Sequence, residues 1–158
     1  MDSILHKTIE AIKPMSAEWR ARGRKHLDNL AIPPGSLGDL LDIAEQLAAI
    51  SETIKPSVGS KAVVTMAGDH GVVEEGVSAF PQAVTPQMVA NFVAGGAAIN
   101  VLAGVAGARV VVVDMGVAVD LDDSCQGKVL IRKVDYGTRN MAQGPAMSRE
   151  QAVKALET

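Results

Sequence analysis

The sequence predicts an α/β protein built on a short parallel sheet, and three observations point there. Two short, nearly continuous apolar runs rich in β-branched residues, Ala62 to Ala67 and Val110 to Val113, have the pattern of strands covered on both faces. Between them lies a helical stretch, and strand, helix, strand in that order gives a right-handed parallel crossover. The third observation is composition: 47% of residues are hydrophobic but only 3% are aromatic, so the core is expected to be made of small and branched aliphatic side chains in close helix-on-sheet contact. A chain of 158 residues is long enough for one domain core, burying roughly 70% of the surface that the unfolded chain exposes.

Taken in order, the segment from Ser16 to Leu30 places Trp19, Leu27 and Leu30 among charged residues at helical spacing. Ile32-Pro33-Pro34-Gly35 ends that helix, because paired prolines remove amide donors and push the preceding residue towards extended backbone. Ser36 is an N-cap candidate for a helix over 37–52, with Leu40, Ile43, Ala44, Leu47 and Ile50 as its apolar stripe. Lys55-Pro56-Ser57 reads as a linker, which divides the chain into a helical segment, 1–56, and an α/β part, 57–158. The first strand is expected at 62–67. After the turn-rich stretch 68–85, Thr85 as cap and Pro86 at the first helical position predict a helix over 86–103. Gly95-Gly96 falls inside that helix at a cost of about 1 kcal/mol per glycine, which close packing would offset better than phosphate binding, since no Gly-x-Gly-x-x-Gly follows a strand. That helix ends near Gly104 and Gly107, the second strand follows over Arg109 to Asp114, and a third, suited to a sheet edge, is expected over Lys128 to Val134. Ser148 with Gln151 forms a capping box for the last helix. That helix reaches Thr158 without a stop signal and the sheet has only about three strands, so the sequence is expected to be the N-terminal portion of a longer protein.

Charge and composition narrow the function. A net charge of −3 argues against a broad nucleic-acid or anionic-lipid surface, and the basic run Arg20 to Lys25 reads as a helix face or the neighbour of a phosphate. The single cysteine, Cys125, cannot pair within the chain, and no basic region followed by an apolar stretch marks the N-terminus, so a cytoplasmic setting is expected. No apolar run reaches the roughly 18 residues of a membrane span without Gly, Asp or Asn interrupting it.

Ligands of open parallel sheets gather beyond the carboxyl ends of the strands. Gly68-Asp69-His70-Gly71 and Asp114-Met115-Gly116 both fall there. Asp69 and His70 either brace the glycine-rich loop by hydrogen bonds or form an acid/base or metal pair, although no second ligand cluster accompanies them. From Glu74 to Gln87, small and polar residues alternate with Val77, Phe80, Val84 and, next in line, Met88. That mixture suits a pocket for a planar heteroaromatic ring, and equally a loop folded over a helix N-terminus. Arg139, after the third strand, offers a planar fork of donors to a phosphate, a carboxylate or a structural ion pair. No Ser/His/Asp or Cys/His nucleophile constellation emerges.

Several of these stretches, taken together, resemble one family. Pro33-Pro34-Gly35-Ser36-Leu37-Gly38, Ala67-Gly68-Asp69-His70-Gly71-Val72 and Glu75-Gly76-Val77-Ser78-Ala79-Phe80-Pro81-Gln82 are followed in order by Val84-Thr85, Asn91-Phe92 and Gly95 to Leu102. Val113 to Val117, Gly137-Thr138-Arg139-Asn140 and Gly144 to Ser148 complete the series. From Pro33 to its end the chain is thus similar to the N-terminal portion of the nicotinate-nucleotide:dimethylbenzimidazole phosphoribosyltransferases of the cobalamin lower-ligand pathway.

The resemblance implies a Rossmann-like parallel sheet flanked by helices, with the N-terminal helical segment belonging to a smaller domain. It implies a homodimer in the full-length protein, and transfer of phosphoribose from nicotinate mononucleotide to a benzimidazole base, 5,6-dimethylbenzimidazole, with nicotinate leaving. The stretch matching the family's base pocket makes Ser78, Phe80, Gln87 and Met88 the expected substrate-binding residues, and Asp69 and His70 loop supports. The family's catalytic glutamate and its glycine-rich phosphoribose-binding segment fall beyond Thr158, so no catalytic residue is expected within the sequence. No metal and no cofactor are expected. Glu74 and Glu75 precede the base loop and are not promoted to general base. The alternatives are a non-catalytic module that self-associates through an open sheet edge, and a metal-dependent hydrolase using Asp69 and His70.

Overall fold

A computed structural model of the chain describes residues 3–158. They divide into two compact units, one over Lys7–Gly59 and one over Ser60–Thr158 together with the first residues up to His6. A helix absent from the sequence expectation, α1 (Ile4–Ala11), opens the chain, with the Ser3 hydroxyl accepting from the His6 amide at 3.2 Å.

The helical unit is a hairpin of α2 (Ala17–Asp28) and α3 (Asp39–Ser51). Ser16 caps α2 by accepting from the Trp19 amide at 3.3 Å, as an N-cap serine does. Helix α3 begins later than expected: Ser36 lies in a turn whose amide bonds to Pro33 carbonyl at 3.1 Å, and Gly38 is the residue before the helix. Its predicted apolar stripe is covered only in part, with Ala44 and Leu47 half-buried. Leu40, Ile43 and Ile50 are exposed, and Glu45, Ala48 and Ala49 are the buried residues instead. The reason lies in α2, which is largely charged and presents Gly23 as its buried position. Glu45 answers it with ion pairs to Arg20 at 2.6 Å and Arg24 at 3.7 Å.

The second unit is the predicted α/β fold. Strands β1 (Lys61–Gly68), β2 (Ala108–Gly116) and β3 (Val129–Ile131) form a parallel sheet in the order β1-β2-β3. Helices α4 (Val84–Ala94) and α5 (Ala98–Val105) make the crossover and pack on the sheet. Val89, Val112, Val117, Cys125 and Val129 form the core between them. The central strand is buried on both faces, with Val112 and Val113 both inside. The first strand is not: alternate side chains point to opposite faces, and Val64 and Met66 stand 52% and 68% exposed while Ala67 packs on the core. The third strand is an edge strand, shorter than expected, yet the chain beyond it still donates from Arg132 to Asp114 carbonyl at 2.8 Å and from Val134 to Met115 carbonyl at 3.3 Å.

The expected helix 86–103 is two helices. Gly95 takes the left-handed conformation, φ 80°, and closes α4 with its amide on the Asn91 and Phe92 carbonyls, a conformation that costs glycine little. Ala97 is extended, and Asn100 Oδ1 accepts from its amide at 3.2 Å to start α5. Val84–Val105 has the length and hydropathy of a membrane span, 1.7 on average, but the break leaves helices of 11 and 8 residues. At 1.5 Å per residue the longer one covers only about 17 Å, against about 30 Å of hydrocarbon. The start of α4 also differs: Ala83 precedes it, and Thr85, its second residue, uses its hydroxyl elsewhere. The last helix, α6 (Arg149–Glu157), has the capping box that Ser148 and Gln151 predict, with the two reciprocal bonds at 3.2 and 2.9 Å.

Candidate functional site

At the carboxyl end of β1 the chain runs into Asp69-His70-Gly71, clasped from both sides by backbone. The Asp69 amide donates to Gly116 carbonyl at 2.9 Å, the Thr138 amide to Asp69 carbonyl at 3.0 Å, and the Gly71 amide to Thr138 carbonyl at 2.9 Å. His70 and Thr138 thereby pair like residues of neighbouring parallel strands. The clasp leaves no space for a side chain at residue 71, and glycine meets that requirement.

The Asp69 side chain is only 5% exposed, and both carboxylate oxygens are used. Oδ1 accepts from the Thr85 hydroxyl at 2.6 Å and Oδ2 from the Ala118 amide at 2.7 Å. Asp69 therefore ties the strand end to the first turn of α4 and to the loop after β2. His70 keeps its ring at the surface, 3.3 Å from the Thr138 hydroxyl through Nδ1, while its carbonyl accepts from Gln82 Nε2 at 3.2 Å. Asp69→Ala is expected to lower stability by about 2 kcal/mol, since it strands a half-buried hydroxyl and a half-buried amide; urea unfolding of the two chains measures the difference.

Two clefts lie on either side of this strand end, and Asp69 and His70 border both. The first, about 480 Å³, is walled by Met66, Val73, Val77, Phe80 and Met88, with Ser78 and Gln82 among its polar members. Of the residues singled out in the sequence, Ser78, Phe80 and Met88 are brought together here. Gln87 is exposed and does not line the cleft, because it lies on the outer side of α4. The Ser78 hydroxyl is engaged within its own turn, donating to Phe80 carbonyl at 3.0 Å and accepting from the Phe80 amide at 3.2 Å. Phe80 itself is 68% exposed, with its ring at the cleft mouth. The second cleft, about 610 Å³, is lined by Met115, Val134, Thr138, Arg139, Met147 and Gln151 among others.

Glu74 and Glu75 lie in a short 3-10 turn, Gly71–Glu75, and both are held by one amide: Asn140 Nδ2 donates to Glu75 Oε1 at 2.7 Å and to Glu74 Oε2 at 3.3 Å. Among the described residues, no group of three or more His, Cys, Asp or Glu side chains is placed to hold a metal ion.

A second buried carboxylate stands at the end of the other strand whose exit loop the sequence places here. Asp114, at the end of β2 and 1% exposed, accepts from the Gly116 and Val117 amides at 3.0 and 2.8 Å, and Lys133 Nζ stands 3.4 Å from its other oxygen. Beside them the Tyr136 hydroxyl donates to Asp120 Oδ1 at 2.8 Å. That bond, with the negative charges of Asp120 and Asp114, holds the Tyr136 phenol above its ordinary value of 10.0. Its stabilising contribution is complete below the ordinary phenol range and is lost as the pH rises through the raised value. Because Tyr136 is the only tyrosine, an alkaline absorbance titration reads it alone; a midpoint above that of free tyrosine, restored by Asp120→Asn, is the expected outcome.

The geometry has relatives. A family model described as phosphoribosyltransferase matches residues 12–158. The chain belongs to that family. It is 53% identical over 156 residues to a nicotinate-nucleotide–dimethylbenzimidazole phosphoribosyltransferase of Syntrophotalea carbinolica, covering 98% of this chain and 44% of the relative. A protein of the same name from Geobacter metallireducens is 54% identical over 155 residues, covering 98% and 43%. Among solved structures, the phosphoribosyltransferase of that name from Thermus thermophilus superposes with a TM-score of 0.83 at 51% identity, over 90% of this chain and 42% of that one. The chain thus spans less than half the length of these phosphoribosyltransferase relatives.

Proposed function

We propose that the cleft beside β1 is one wall of a slot for a flat nitrogenous base of the benzimidazole type. In the whole protein, the proposed reaction is phosphoribosyl transfer from nicotinate mononucleotide to 5,6-dimethylbenzimidazole. A base nitrogen attacks the anomeric carbon, the bond from that carbon to nicotinate breaks, and the base N–H proton is lost to a general base, giving α-ribazole 5′-phosphate and nicotinate. The observation that carries the reading is the convergence of Met66, Val77, Phe80 and Met88 with Ser78 and Gln82 in one cleft at a strand's carboxyl end. Aliphatic and aromatic walls take the ring faces, and a hydroxyl and an amide suit its nitrogens. Gln82 replaces Gln87 in this assignment because it lines the cleft and Gln87 does not.

Titrating 5,6-dimethylbenzimidazole into the chain by calorimetry tests the proposal. Saturable one-to-one binding is expected, with Phe80→Ala weakening it about tenfold, or about 1.4 kcal/mol, through the lost ring contact. A folded chain that shows no saturable binding, or an unchanged affinity in the variant, would contradict it.

Deprotonating the attacking base avoids a cationic product and contributes about 10²-fold or more. The carboxylates next to the slot are otherwise engaged: Glu74 and Glu75 with Asn140, and Asp69 with Thr85 and Ala118. The 158-residue chain is therefore proposed to bind the base without turning it over. A cytoplasmic homodimer is part of the proposal for the full-length protein; the net charge of −3 and the lone buried Cys125 are compatible with a reducing, nucleic-acid-free setting.

A further inference from the structure

The loop that leaves β2 is gripped by an ion pair in an unusual way. The Asp114 carboxylate takes the loop's amides, Gly116 and Val117, and the Lys133 ammonium takes its carbonyls, donating to Val117 at 2.8 Å and Val119 at 2.7 Å. Between those two carbonyls lies the Ala118 amide, which reaches Asp69 Oδ2. The Lys133 Nζ is further placed 3.4 Å from Asp114 Oδ2 and 3.9 Å from Asp120 Oδ1. Asp114 Oδ2 is buried and has no hydrogen-bond partner, so the ammonium is its neutralising group. The Tyr136 ring covers the ammonium, 4.2 Å from its centroid to Nζ, and its hydroxyl secures Asp120. Two carbonyl and two carboxylate oxygens around one positive charge are a donor set suited to a hard cation. Here the protein supplies that cation from its own chain.

We propose that Lys133 is a positioning residue whose ammonium fills a four-oxygen monovalent-cation site, and that this site sets the Asp69 carboxylate in the cleft wall through the segment 117–119. The site stands on its own geometry; only its effect on ligand affinity rests on the base-binding proposal. Cutting back the side chain leaves a small cavity lined with oxygens and a buried carboxylate, which a potassium or ammonium ion from solution enters. Tetramethylammonium, with its methyl shell, does not fit and offers nothing to the carbonyls, while screening exposed charges equally.

The test uses the full 158-residue chain and its Lys133→Ala and Lys133→Ser variants. Their thermal midpoints are measured in potassium, ammonium and tetramethylammonium chloride at one ionic strength. The unsubstituted chain is expected to melt at the same temperature in all three. Each variant is expected to melt several degrees lower in tetramethylammonium and to recover part of that loss in potassium and ammonium. Affinity for 5,6-dimethylbenzimidazole is expected to follow, roughly tenfold weaker in tetramethylammonium and restored by potassium. Variant midpoints that are equal in all three salts, variants that match the unsubstituted chain, or variants that fold in none of the salts would overturn the site. Salt rescue of the midpoint in a chain that does not bind the base would leave the cation site standing and remove the base-binding reading. Base binding with salt-independent variant midpoints would do the reverse.

Discussion

Replacing Asp114 with alanine is expected to destabilise the chain by about 4 kcal/mol, the largest loss predicted for any single substitution in it. Asp114 is buried to 1% exposure in the strand that forms the centre of the sheet. Removing its carboxylate deprives the Gly116 and Val117 amides of their acceptor and leaves the Lys133 ammonium, itself largely buried, with only carbonyls and the exposed Asp120 for company. Breaking one side of such a pair costs more than the pair contributes, because the surviving charge remains desolvated. A Lys133→Met, Asp114→Leu double substitution removes both charges and is expected to recover part of the loss. Urea unfolding followed by circular dichroism gives both values, and equal stability of the single variant and the unsubstituted chain would refute the assignment.

Gly71→Ala is expected to cost about 3 kcal/mol and to abolish base binding together with it. A methyl group at residue 71 would lie 2.6 Å from the Asn140 amide nitrogen, 2.7 Å from the Arg139 carbonyl carbon and 2.8 Å from the Thr138 carbonyl oxygen. All three are backbone atoms, so no side chain can rotate away. The two strand ends must separate, which breaks the bonds between residues 69–71 and Thr138 and releases Asn140 from Glu74 and Glu75. By contrast, Gly144→Ala meets nothing within 4 Å and serves as the control for loss of a glycine alone.

Much of the fold was legible because its signals are local. The β-branched runs at 62–67 and 110–113 specify strands wherever the sheet lies, and Ser148 with Gln151 sets the start of α6 within a single turn. Where the outcome depends on what a surface meets, the sequence was silent. The stripe Leu40, Ile43, Ile50 has the spacing of a core face, yet α2 offers arginines and a glycine, and the Glu45 face of α3 answers them. The apolar β1 has one open face, since α4 and α5 cover only the other. Gly95-Gly96 contained the information for a helix break, but a glycine pair in an apolar run also fits close packing, and only the backbone angle distinguishes them.

The site divides in the same way. Gly68-Asp69-His70-Gly71 sits at a strand end because the strand before it is unmistakable. Its partners, Thr85, Ala118 and Thr138, come from three other segments, and nothing local in any of them announces the contact. Lys133 falls within the run expected as the edge strand, and Gln82 within the turn-rich stretch after the first strand. Lys133 acquires its place only when the β2 and β3 exits are brought side by side, and Gln82 only when its loop folds back onto His70 at the exit of β1.

The central claim is that the stretch from Val72 to Met88, with Met66 behind it, takes a flat base. Amide and methyl chemical shifts recorded on the chain during titration with 5,6-dimethylbenzimidazole test it most directly. Shifts concentrated at Met66, Val77, Phe80, Gln82 and Met88, saturating together, are predicted. Shifts centred instead on Met115, Val134, Arg139 and Met147, across the Asp69–His70 partition, would place the ligand in the other cleft and contradict the account.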